Sequence, residues 1–479
     1  MTEEYAVFLK KRESILQEIF EANPSSSLEL TQKEEQLAKM IENLKTEIVE
    51  DANINLMKGL YENLKAFKAT KLYQLLNKMP KGVLQHVHLP AAQSIDSMIR
   101  AFTSSDKVLY SKTEKKFILD KGQEIEKGYF RFCELFEQDG FKAIKKEVSS
   151  FMFMKNEELF DQNFEKIFDN FEARFIAMGE VCYYEPVLTV MMEELYADMT
   201  KDQLSGVEIR HLFGLLIKEN MEKASHDEEL EYFRHFQKSF AQRNPPLEIG
   251  YIHCGLKTKT LTSADIKDWF QIYQHSLCCS DKKNTFMGFD MVAFEGNKSV
   301  EEMAECFTQL KKYNPGTSLI LHSGENTISG TKNAIDAILL GSKRLGHGLI
   351  VSKNPVLIKL AKERDICIEI NPISNYILGF ARDPFNHPLR VFINNAVACT
   401  INSDDYLFWD CPPMTMDFFV SVLFSDLNLR EIKWLILNSI SYSYFNDQQK
   451  AKLLGELEGK WNAFLGSIIS DDQATSKYK

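Results

Sequence analysis

From residue 82 onward the chain alternates between two hydrophobic rhythms. Short apolar runs of strand length occupy 82–89 (GVLQHVHL), 205–212 (SGVEIRHL), 247–256 (LEIGYIHCGL) and 285–294 (TFMGFDMVAF). Four more follow at 318–325 (SLILHSGE), 344–348 (RLGHG), 366–375 (ICIEINPISN) and 398–405 (ACTINSDD). Between them lie segments such as VEEMAECFTQLKKY and NPVLIKLAKER, where apolar residues recur every three or four positions, the period of an amphipathic helix. Strand–helix alternation predicts a parallel sheet. Eight such units with right-handed crossovers close into an α/β fold of the (β/α)8 TIM-barrel type.

Residues 1–80 read as an N-terminal helical extension. Thr31 and Glu34 have capping-box spacing, and Leu37, Met40, Ile41, Leu44 and Ile48 then share one helix face. Such a stripe most often packs within its own chain; because it lies outside the barrel, pairing of two copies of the chain is the alternative it offers. Residues 81–479 form the barrel with C-terminal helices. Within it, about 104–150 is rich in Lys, Glu and Phe with no strand signal, and is expected to be a mostly helical insertion.

Charge and cysteine usage narrow the function classes. The 57 Lys+Arg against 68 Asp+Glu leave a net charge of −11, which repels phosphate backbones and argues against a nucleic-acid partner. No apolar run approaches the roughly 20 residues of a membrane helix, so no membrane partner is expected. The nine cysteines include no CxxC pair, although Cys278 and Cys279 are adjacent. They read as mostly free thiols, and the N-terminus lacks a basic-then-apolar leader, so a cytoplasmic setting is expected. Secretion is the alternative if a leader preceded this chain.

In (β/α)8 barrels chemistry sits at the C-terminal strand ends, and here the polar residues gather there. His86 and His88 end the first strand two residues apart, so both face the same side. His322 and Glu325 end the fifth run, His347 lies between glycines on the sixth, and Asp404–Asp405 end the eighth. Three imidazoles and a carboxylate from strands 1, 5 and 8 form an N3O donor set suited to zinc. TFMGFDMVAF has no lysine to bridge two metals, which favours one ion per subunit. No HExxH, Walker or GxGxxG motif competes. The six other histidines, His387 among them, read as structural or solvated.

The ordered set MPKGVLQHVHLPAA, LHSGE, SKRLGHG, IEINPISN and INSDD resembles the adenosine deaminases of the metal-dependent amidohydrolases. GFDMV and NPISNYILGFARDPFNHP make it most similar to the adenosine deaminase growth factor branch. The resemblance implies one zinc held by His86, His88, His322 and Asp404. It implies Glu325 as proton donor to purine N1, His347 orienting the attacking water and Asp405 bonding N7. The backbone N–H of Ala293, where the family usually has glycine, would meet N3. The implied reaction is hydrolytic deamination of adenosine or 2′-deoxyadenosine. The alternatives are a 5′-modified adenine nucleoside such as methylthioadenosine as substrate, or an inert growth-factor-like binding protein. The branch also implies pairing through the N-terminal extension. Leu89 and Pro90 stand where relatives carry an aspartate, so an apolar wall is expected at the ribose end.

Overall fold

Eight parallel strands surround the buried aliphatic core. They are β1 Gly82–His88, β2 Leu204–His211, β3 Glu248–Leu256, β4 Phe286–Val292, β5 Ile320–Ser323, β6 Arg344–His347, β7 Cys367–Ile370 and β8 Cys399–Ile401. Each lies within or overlaps one of the eight runs read from the sequence. Nearly every strand residue is buried on either face, as strands wrapped by helices must be. This computed structural model describes residues 3–122, 125, 127–155, 158, 163–278, 285–313 and 316–476.

Strands β1–β4 pair in order and so do β5–β8. Two bridges join the halves, Phe289 beside Leu319 and Val87 beside Asp404. At these seams Phe289 N donates to Ser318 O at 2.9 Å, and Asp404 N donates to His86 O at 3.0 Å. The second seam matters chemically. It closes the barrel and sets the end of β8 against the histidines of β1.

Helices α1 (Glu3–Ala22) and α2 (Gln32–Glu50) form the extension, and the capping box at Thr31 and Glu34 is present. The α2 stripe packs inward. Leu37, Ile41, Leu44 and Ile48 are buried in the chain's own core. Polar contacts fix the docking: Lys45 Nζ meets Asp426 at 2.6 Å, and Glu34 binds Lys433 and Trp461 Nε1. The exposed apolar residues lie on α1 instead, where Tyr5, Phe8, Ile15, Leu16 and Ile19 are half or more exposed.

The 104–150 segment departs from expectation. Its first half is a three-stranded antiparallel sheet (Val108–Ser111, Lys116–Leu119, Phe130–Arg131), and only then does the helix Phe132–Met152 follow. Tyr110 and Phe117 pair across the hairpin and pack on Phe102, Phe132 and Phe151. These strands are four residues long or shorter, and the lysines between them hide the alternation. Among the described residues, no helix is long and apolar enough to cross a membrane. The seven cysteines with described side chains are free, and the Cys278–Cys279 pair lies outside that set.

Candidate active site

The barrel geometry brings the strand-end residues together. His86 and His88 leave β1 on the same side, joined by His322 from β5, His347 from β6, and Asp404 and Asp405 just beyond β8. Ring centroids of His86 lie 4.5 Å from His322, 4.9 Å from His347 and 5.5 Å from His88. Three site residues adopt left-handed backbone without being glycine: His347 (φ 66°), Asp404 (φ 57°) and Ala293 (φ 75°). Each such residue costs about 1–2 kcal/mol and persists only where the surroundings hold it. At Ala293 the strain explains why glycine is the easier residue.

The donor set fits a zinc ion. Asp404 Oδ1 lies 3.4 Å from His86 Nε2 and 3.3 Å from His88 Nε2. Donors about 2.0–2.1 Å from a tetrahedral zinc are separated by about 3.3–3.4 Å. Buried His86 Nε2 has no hydrogen-bond partner among the described residues. Ligand atoms of His86, His322, His347 and Asp404 lie within 4.8 Å of one another, as do those of His88, Asp404 and Asp405. The sequence-derived ligands span both groups. Burial pushes His322 down to about 3 and lowers His88 and His347 as well. These imidazoles are therefore neutral, as ligands must be.

Behind the ligands stands a charge network the sequence reading missed. Glu369 Oε2 accepts from His86 Nδ1 at 2.8 Å, and Asp290 Oδ2 from His322 Nδ1 at 2.6 Å. Both contacts leave Nε2 free to face a metal. Arg210 ties the carboxylates together, 2.7 Å from Asp290 and 2.6 Å from Glu369, and Arg344 joins Glu369 to Glu208. Burial would raise Asp290 and Glu369. The permanently charged Arg210, with His322 beside Asp290 and Arg344 beside Glu369, holds both below the usual carboxylate range. A signal existed: a lone charge inside an apolar strand survives only if paired.

The opposite side carries groups for proton transfer. Burial, then Asp404 and Glu295, raise Glu325 well above its ordinary value despite Lys257. Burial and adjacent Asp404 likewise raise Asp405. Glu325 Oε1 and Asp405 Oδ1 are buried without hydrogen-bond partners among the described residues. Glu295, also missed, clamps the Glu325 loop: it accepts from Gly324 N at 2.6 Å and Asn326 N at 2.9 Å, on either side of Glu325. Glu325, Asp404 and Asp405 line a cavity of about 640 Å³. Its outer wall is largely apolar, built from Pro90, Leu256 and Phe168, Phe171, Phe175 and Ile176 of the helix Phe164–Met178. Glu172 of that helix also lines it, with one buried oxygen unpartnered among the described residues and its carboxyl raised by burial.

A closed parallel barrel with imidazoles and a carboxylate at its strand ends defines a metal-dependent hydrolase of the amidohydrolase type. The family model described as adenosine deaminase matches residues 153–460. An adenosine deaminase of Aedes albopictus is 26% identical over 96% of this chain and 87% of its own length. Adenosine deaminase 2 of Dictyostelium discoideum is 26% identical over 83% of this chain and 75% of its own. Among solved structures, a zinc-bound amidohydrolase from Burkholderia ambifaria superposes with TM-score 0.60. That match has 15% identity and covers 83% of this chain and 95% of the other, so it shows the fold. The chain belongs to the adenosine deaminase family. It is a zinc-dependent enzyme that deaminates purine nucleosides.

Proposed function

We propose that the chain hydrolyses adenosine or 2′-deoxyadenosine to the inosine counterpart and ammonia, with His86, His88, His322 and Asp404 holding the zinc. When bound, zinc lowers the pKa of a coordinated water towards 7 and so supplies the nucleophile at neutral pH. Glu325, kept protonated by its surroundings, donates to purine N1 and makes C6 electron-poor. His347 Nε2, 3.6 Å from Glu325 and 3.7 Å from Asp404, orients the attacking oxygen between them. Asp405, also protonated, donates to N7, and Ala293 N–H to N3. A C6–O bond forms and the C6–N bond to the amino group breaks. The amine leaves as ammonia after accepting a second proton.

One observation carries this reading: a buried carboxyl with an oxygen that has no partner among the described residues stands beside a zinc-type donor cluster, its burial and the neighbouring Asp404 favouring the protonated form. An inert binding protein has no use for it. The test is ammonia release from adenosine, 2′-deoxyadenosine, AMP and adenine. The two nucleosides should turn over best, and turnover confined to AMP or adenine would overturn the assignment.

The α1 face supports a homodimer through the N-terminal extension, with the exposed residues of α1 rather than the α2 stripe at the contact. The free thiols fit a reducing, cytoplasmic setting.

A further inference from the structure

His347 poses a question of protonation. Its Nε2 lies close enough to the metal donors to be a fifth ligand, yet the mechanism needs it to hold an oxygen instead. A neutral imidazole has one proton, and the partner of Nδ1 decides which nitrogen carries it. His86 and His322 place Nδ1 against carboxylates, so the proton sits on Nδ1 and Nε2 is a free ligand. His347 does the opposite. Its Nδ1 lies 2.9 Å from the amide nitrogen of Asn375 and 3.2 Å from that of Asn371.

Two unambiguous backbone groups fix those amides. Leu389 N–H can only donate, and it donates to His387 Nδ1 at 3.2 Å. The proton of neutral His387 is therefore on Nε2, which faces Asn375 Oδ1 at 3.3 Å. With its oxygen engaged, Asn375 must turn its nitrogen to His347. Independently, the carbonyl of Glu369 can only accept, and it accepts from Asn371 Nδ2 at 3.2 Å. The chain runs from Leu389 through His387 and Asn375 to His347, entirely among buried residues.

We propose that His387 is a positioning residue that, through Asn375, holds the proton of His347 on Nε2. This rests on the deaminase reading for its purpose. An Nε2–H donor cannot coordinate zinc, so His347 stays outside the ligand set and points a hydrogen at the attacking oxygen. It is thereby distinguished from His86 and His322 by hydrogen bonding and not by distance.

The test is the 15N spectrum of the zinc-loaded protein labelled at histidine, with His347 assigned from a His347→Ala sample. The two nitrogens of a neutral ring resonate far apart according to which holds the proton. Wild type should show His347 protonated on Nε2. Asn375→Asp, whose carboxylate only accepts, should move the proton to Nδ1, and His387→Leu should shift the population the same way. His387→Leu should also lower kcat at least about tenfold with little change in KM. His387→Gln, whose amide can still donate to Asn375, should restore most of the loss. A wild-type His347 protonated on Nδ1, or a proton that stays on Nε2 in both Asn375→Asp and His387→Leu, would overturn the proposal. If a variant does not fold, the wild-type spectrum still decides. The spectra need no turnover: an inactive protein with the expected tautomers would refute the deaminase reading alone.

Discussion

Replacing Glu325 by Gln separates proton donation from everything else in the site. Gln keeps the volume and can still offer an N–H to purine N1, but it cannot transfer a proton. General acid catalysis contributes 10²–10⁴-fold, so turnover should fall at least about 100-fold, or about 2.7 kcal/mol. Zinc content should not change, because Glu325 belongs to neither donor group. Stability should change in a particular direction. The native state raises the Glu325 pKa, so between the unfolded value near 4.3 and the folded one the native state holds the extra proton. Native stability is therefore lost as pH rises through that window. Gln removes this loss, and metal-free Glu325→Gln should melt no lower than metal-free wild type at pH 7. The assays are steady-state ammonia release, zinc by elemental analysis and calorimetry of the metal-free proteins. A fully zinc-loaded variant with near wild-type turnover would refute the proton-donor role.

His322→Ala should lose most bound zinc and most activity, as equilibrium dialysis beside an ammonia assay would show. Glu295→Ala frees the backbone on both sides of Glu325 and should lower kcat at constant zinc content, with KM little changed. At the ribose end Leu89 and Pro90 offer no side-chain acceptor, so kcat/KM for 5′-deoxyadenosine should stay within about 100-fold of adenosine. A larger loss that disappears in Glu172→Gln would assign the hydroxyl contact to Glu172. Light scattering at micromolar concentration should find a dimer, and Leu16→Glu with Ile19→Glu on α1 should give a monomer.

The eight strands and the donor residues were legible because each sits in a short run with a distinctive end. His88, His322, Glu325, His347, Asp404 and Asp405 line one cavity, and His86 joins His322, His347 and Asp404 in the donor cluster at its floor. What stayed hidden depends on contacts distant in sequence. Glu369 meets His86 across 283 positions, and Asn375 meets His387 across a loop whose path no periodicity encodes. The α2 stripe was read correctly as an apolar face, but a face alone does not say what covers it. Here the C-terminal helices do. The hairpin in 104–150 escaped because strands of two to four residues are too short to show a period.

Zinc-dependent deamination of a nucleoside is tested most directly by a metal titration. Purified protein is titrated from metal-free to one zinc per chain while ammonia and inosine release from adenosine are followed. Activity should rise in proportion to bound zinc, level off at one equivalent and vanish on chelation. Full activity without metal, or no release of ammonia from any adenine nucleoside at full zinc occupancy, would contradict the account.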